Sequence, residues 1–97
     1  MDRTPAETAA LLGARVEALR LARDWKRTTL AERSGVSAAS IKRFEITGQV
    51  SLDSLLKIAL VLGRLREFEG LLADEPPRTI ADLDRLESAP KRQRGRR

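Results

Sequence analysis

Apolar residues recur every three or four positions through most of the first 72 residues, and each run is bounded by residues that start or stop helices. TPAE at 4–7 places Thr4 as an N-cap, Pro5 at the first helical position and Glu7 where a capping box needs it. Leu12, Val16 and Leu19 then mark the buried side of a first helix that runs to about Asp24. TTLAERS at 28–34 is a short second helix closed by Gly35, which has no Cβ and so permits the left-handed backbone that ends a helix and opens a turn. Ser37 caps a third helix, SAASIKRFE, which buries Ile41 and Phe44, and Gly48 stops it. Ser51 caps a fourth, with Leu52, Leu55, Leu56, Ala59 and Leu62 forming the most hydrophobic stripe in the chain. After Gly63, RLREFEGLL offers Leu65, Phe68 and Leu72 for a fifth helix.

No alternating run of β-branched residues interrupts this pattern, so the expected fold class is all-α. The pattern breaks at ADEPPR, where prolines and acids mark residues 73–78 as a linker. TIAD at 79–82 repeats the capping logic and predicts a short C-terminal helix from about Thr79 to Glu87, beyond which Pro90 bars continuation. KRQRGRR at 91–97 carries no apolar side chain, has nothing to bury and is expected to be a disordered basic tail. The chain therefore divides into a helical domain, 1–72, and a segment of linker, short helix and tail, 73–97.

Composition narrows what such a domain does. Ninety-seven residues suffice for one modest core. The absence of Cys and His removes thiol nucleophiles, imidazole bases, zinc clusters and the commonest metal ligand, so no catalytic residue set, metal or cofactor is expected. No apolar run approaches the ~20 residues that span a bilayer, and MDRTPAETAA lacks the basic-then-apolar order of a signal peptide. The expected location is the cytoplasm, with no membrane contact.

The net charge of +5 is unevenly spread: 9 Lys/Arg against 6 Asp/Glu in residues 1–50, 2 against 5 in 73–90, and 5 against none in 91–97. A basic body followed by an acidic hinge and a basic tip suits a polyanion-binding domain with a separately charged tail. Charge alone fits a solvated basic surface equally well.

Two short helices joined by a tight glycine-containing turn form the arrangement in which the second helix enters the DNA major groove. Leu30 and Ala31 face inward, Gly35 makes the turn, Val36 plugs it, and Ile41 and Phe44 anchor the third helix. Ser37, Ala38, Ala39, Ser40, Lys42 and Arg43 are left to point outward or along DNA.

From about Val16 to Leu62 the sequence resembles the Cro/C1-type (XRE) helix-turn-helix regulators, through Arg20, Leu30-Ala31, Gly35-Val36-Ser37, Ile41 and Glu45. The resemblance implies a five-helix, lambda-repressor-like domain in which Arg20 and Glu45 form a partly buried ion pair. It also implies double-stranded DNA as a partner, read as an inverted repeat by a homodimer. Family members commonly open the second helix with Ser-Gln; Lys26-Arg27 here weakens the cap and adds charge.

On this basis the expected base contacts are Ala38, Ala39, Lys42 and Arg43, and the expected phosphate contacts are Arg27, Thr28, Ser37, Ser40 and Thr47. Two readings of Ala38 and Ala39 stand together: methyl contact with thymine in a closely approached groove, or simple helix propensity. Arg27 is either a phosphate clamp or merely solvated. Leu62, Leu65, Phe68, Leu71 and Leu72 follow the four helices needed to close the core and are expected at a two-fold interface. The competing reading folds a fifth helix back onto its own domain.

The order of domain, acidic Pro-Pro linker, short helix and Arg-rich end resembles the HipB-like antitoxins of HipA-type kinase toxins, through RFEITGQVSLDSLLKIALVLG and FEGLLADEPP. That resemblance implies an autoregulating repressor that holds a HipA-like Ser/Thr kinase through residues 73–97. A stand-alone phage-type or chromosomal repressor, and a helical protein-protein adaptor, are the alternatives.

Overall fold

The computed structural model describes residues 2–74 and is all-helical over them. Five helices follow in order: α1 Pro5–Ala22, α2 Arg27–Ser34, α3 Ala38–Thr47, α4 Leu52–Val61 and α5 Leu65–Glu69. The expected linker, short helix and basic tail at 75–97 lie outside the described residues.

Most helix starts use a hydroxyl cap. Thr4 accepts from the Glu7 amide at 3.1 Å while the Glu7 carboxylate accepts from the Thr4 amide at 2.8 Å. Ser37 and Ser51 each accept, at 3.1 Å, from the amide three residues on. The exceptions are α2 and the short α5, where Lys26 and Arg64 stand at the cap positions and supply no side-chain bond.

Helix ends differ from the sequence reading in two places. α1 stops at Ala22 because Asp24 adopts a left-handed φ of 57°, turning the Trp25 amide back to donate to the Arg20 carbonyl at 3.2 Å. Asp is one of the few side chains that tolerate this conformation. α5 spans five residues, ending at Glu69 before Gly70, so Leu71 and Leu72 lie beyond it.

The core joins all four longer helices: Val16, Leu30, Val36, Ile41, Phe44, Ile58 and Leu62, with Leu12, Leu19, Trp25, Leu55 and Val61 packed around it. Burying a side chain the size of Phe44, Ile41, Leu30 or Ile58 stabilises by ~1.5–3 kcal/mol each before chain entropy is counted. The inward face of α4 keeps Leu55, Leu56, Ala59 and Leu62 of the stripe read in the sequence and differs from it at two positions. Ile58 is fully buried, whereas Leu52 is 67% exposed. Leu62, expected at a two-fold interface, is only 2% exposed and belongs to the domain's own core. Its carbonyl also accepts from Arg23 Nη2 at 2.9 Å, so side chain and backbone are both engaged within one protomer.

α1 crosses α3 at backbone contact. A Cβ on Gly13 would lie 2.2 Å from the Phe44 carbonyl oxygen, and one on Gly48 would lie 2.6 Å from the Ala9 carbonyl carbon. Gly48 also closes α3 at φ 84°, so a left-handed backbone and a missing side chain are required at the same point. These two glycines fix how deep α3 sits against α1.

Candidate nucleic-acid interface

α2, the turn and α3 are held together by small local bonds. Gly35 takes a φ of 81° and its amide donates to the Ala31 carbonyl at 2.9 Å. The Ser34 hydroxyl accepts from the Val36 amide at 3.1 Å, and the Val36 side chain, 5% exposed, fills the space between the helices. Ser37 then starts α3. Its hydroxyl accepts from the Ser40 amide and donates to the Ser40 hydroxyl at 2.9 Å.

α3 presents two unlike faces. Ile41, Phe44 and Glu45 are buried, while Ala39, Ser40, Lys42, Arg43, Ile46 and Thr47 are exposed and Ala38 is half-buried. Ala39, Lys42, Arg43 and Ile46 fall at i, i+3, i+4 and i+7, the spacing of one continuous stripe. Arg43 Nη2 donates to Gln49 Oε1, and the Arg43 carbonyl accepts from the Thr47 hydroxyl at 2.6 Å. The same Thr47 oxygen accepts from the Gln49 amide at 3.1 Å. Behind this end of α3 lies a polar notch of about 360 Å³ lined by Ser40, Arg43, Gln49, Val50, Ser51 and Ser54.

The buried end of α3 carries a charge. Glu45, its side chain fully enclosed, receives Arg20 as a two-pronged pair: Nε to Oε2 at 2.8 Å and Nη2 to Oε1 at 2.9 Å. Arg20 Nη1 donates to the Trp25 carbonyl at 2.8 Å. The hydrogen bond to Glu45 raises the Arg20 pKa above the ordinary guanidinium value; burial opposes this, and the charges of Glu45 and Glu17 add to it. Arg20 therefore stays charged at any pH near neutrality.

Arg27 joins the same carboxylate. Its Nε donates to Glu45 Oε1 at 2.9 Å and its Nη2 stands 3.9 Å from Glu17, with the side chain 30% exposed. One edge of a side chain expected at phosphate is thus already committed inside the protein. Thr28 is exposed at the start of α2. The hydroxyls of Ser37 and Thr47 are engaged with the backbone of α3 and its exit.

Beyond α5, Leu71 is 61% and Leu72 102% exposed, while Leu65 and Phe68 are half-buried. Phe68 lines a cleft of about 110 Å³ that is otherwise walled mainly by α1 and α4, including Leu12, Leu19 and Leu55. α5 does fold partly onto its own domain, and the exposed leucines continue past it.

Three residues had escaped the sequence reading. Ile46, 62% exposed on the outer stripe, was findable by continuing the helical count from Ala39. Gly13 had no signal, because a glycine inside a helix declares close packing only when its neighbour is known. Trp25 packs on the core between Arg33 and Arg23, whose guanidinium carbons lie 4.7 and 5.7 Å from its ring.

A family model described as helix-turn-helix matches residues 16–68, just over half of the chain. No curated protein matches it.

Proposed function

Because the chain belongs to the helix-turn-helix family, a family of DNA-binding regulatory domains, we propose that it is an operator-specific repressor that binds DNA as a homodimer. The observation that carries this reading is the outer stripe of α3, where Ala39, Lys42 and Arg43 are exposed on a helix whose opposite face is fully committed to the core. In this reading Lys42 and Arg43 donate to guanine O6 and N7, and the methyls of Ala38 and Ala39 meet thymine methyls. Thr28, Ser37, Ser40 and Thr47 lie along phosphates, whereas Arg27 is engaged with Glu45 inside the protein. Ile46 extends the apolar part of the stripe by one turn.

A second copy pairs through Leu65, Phe68, Leu71 and Leu72, which lets two recognition helices reach half-sites about one turn of DNA apart. Leu62 has no part in that contact. The HipB-like sequence features add a finer proposal: the repressor is the antitoxin of its operon and engages a HipA-like kinase through residues 73–97.

Gel shifts on an inverted repeat selected from random duplexes test the main reading. Lys42→Ala with Arg43→Ala should abolish site preference; a wild-type chain with no preference at physiological salt would overturn it. Capture of a HipA-type kinase by the full chain, lost on removing 73–97, tests the antitoxin role.

A further inference from the structure

We propose that Arg27 is a positioning residue for the recognition helix, acting through Glu45. This rests on the DNA-reading role of α3 given above. α2 begins without a side-chain cap, so its first turn lacks the local tie that Thr4, Ser37 and Ser51 give α1, α3 and α4. The residues around that start are tied to Glu45 instead. The Trp25 carbonyl accepts from Arg20, which grips both carboxylate oxygens, and Arg27 donates directly to Oε1 at 2.9 Å. One enclosed carboxylate in the last turns of α3 therefore fixes the end of α1, the loop after it and the start of α2.

The geometry explains why this matters for reading. Side chains on α3 extend ~5–6 Å from its axis, so a roll of about 20° would move their tips by roughly 2 Å. A working site tolerates only ~0.5 Å. Ile41 and Phe44 set the depth of α3 but are apolar and non-directional. The hydrogen bonds to Glu45 are directional, and they come from two different helices. Arg20 supplies two and Arg27 the third; removal of Arg27 leaves the pair from α1 intact and frees α3 to roll against α2.

Charge supports the same assignment. Arg20 and Arg27 face Glu45 and Glu17, two cations against two anions, so the positive charge of Arg27 is largely balanced within the protein. A side chain acting chiefly on phosphate would leave that charge outward.

The test uses the full chain, the duplex selected by wild type and a scrambled duplex of equal length. Arg27→Met keeps an unbranched stem and removes every donor. It should weaken binding to the selected duplex about tenfold while scrambled binding changes less than about twofold, the size of one spoiled base-pair contact. The slope of log K against log salt should stay as in wild type. Equal losses on both duplexes with a slope shallower by ~0.9 would make Arg27 a phosphate clamp and overturn the proposal. A lower thermal midpoint with both affinities unchanged well below it would overturn it too. If wild type selects no sequence, the DNA-reading role falls first, and the inference with it.

Discussion

The inner and outer faces of α3 obey opposite rules. Inward, Ile41 and Phe44 are 0% and 1% exposed, two glycines leave no space against α1, and the one charge is gripped by two arginines. Outward, Lys42, Arg43, Ala39 and Ile46 are exposed and contribute nothing to the core. The contrast separates two properties that a single ten-residue helix must combine. Stability and placement reside on one side and recognition chemistry on the other, so substitutions should sort cleanly by face.

The largest effect should come from Glu45→Ala, which leaves the buried Arg20 without its partner; chemical denaturation should show a loss of ~3–5 kcal/mol. A loss below about 1 kcal/mol would mean that the inner charge is ornamental and the contrast between faces is only one of exposure. Gly13→Ala comes next. Its new methyl would meet the Phe44 carbonyl at 2.2 Å and must push α1 from α3, for ~1–3 kcal/mol on the same assay. Ser37→Ala removes the cap between the faces and should cost ~1 kcal/mol.

On the outer face, Lys42→Ala and Arg43→Ala should each alter stability by no more than about 0.5 kcal/mol while specific DNA binding is lost. A large drop in thermal midpoint in either would break the comparison. The smallest effect is that of alkali on the inner pair. The folded Arg20 pKa is raised, so its stabilisation is complete below the unfolded value and disappears only as pH climbs through the higher folded one. The midpoint difference between wild type and Glu45→Gln should therefore hold steady from neutrality to about pH 10.

Much of the domain was legible along the chain. Thr4, Ser37 and Ser51 act at short range, so their caps follow from the residue types and spacing alone, as does the left-handed turn at Gly35. The burial of Leu30, Ile41 and Phe44 followed from helical periodicity. On α4 periodicity puts Leu55, Leu56, Ala59 and Leu62 on the inward side, where they lie buried or half-buried. The stripe differs from the structure at two positions: Leu52 opens the helix and is 67% exposed, and Ile58, beside Ala59, widens the buried face. Leu62 was sent to a partner because counting helices does not reveal how far the fourth one reaches into the core. α5 ends at Glu69 and the chain takes a left-handed φ of 62° at Leu72, so Leu71 and Leu72 do not continue the helix that the sequence suggests.

Arg27 shows the same boundary in the site. From sequence it was a cation at a helix start, equally suited to phosphate or to water. Its neighbour Glu45 lies 18 residues away, and only the packing of α2 against α3 brings their side chains within 2.9 Å. The sequence by itself determined the helices, their caps, the turn and the basic outer stripe, because each depends on residues within about one turn of one another. Tertiary structure alone decided how closely α1 approaches α3, which leucines are left exposed and which arginines are committed inward. Those outcomes depend on distances between chain-remote atoms, and no local pattern encodes them.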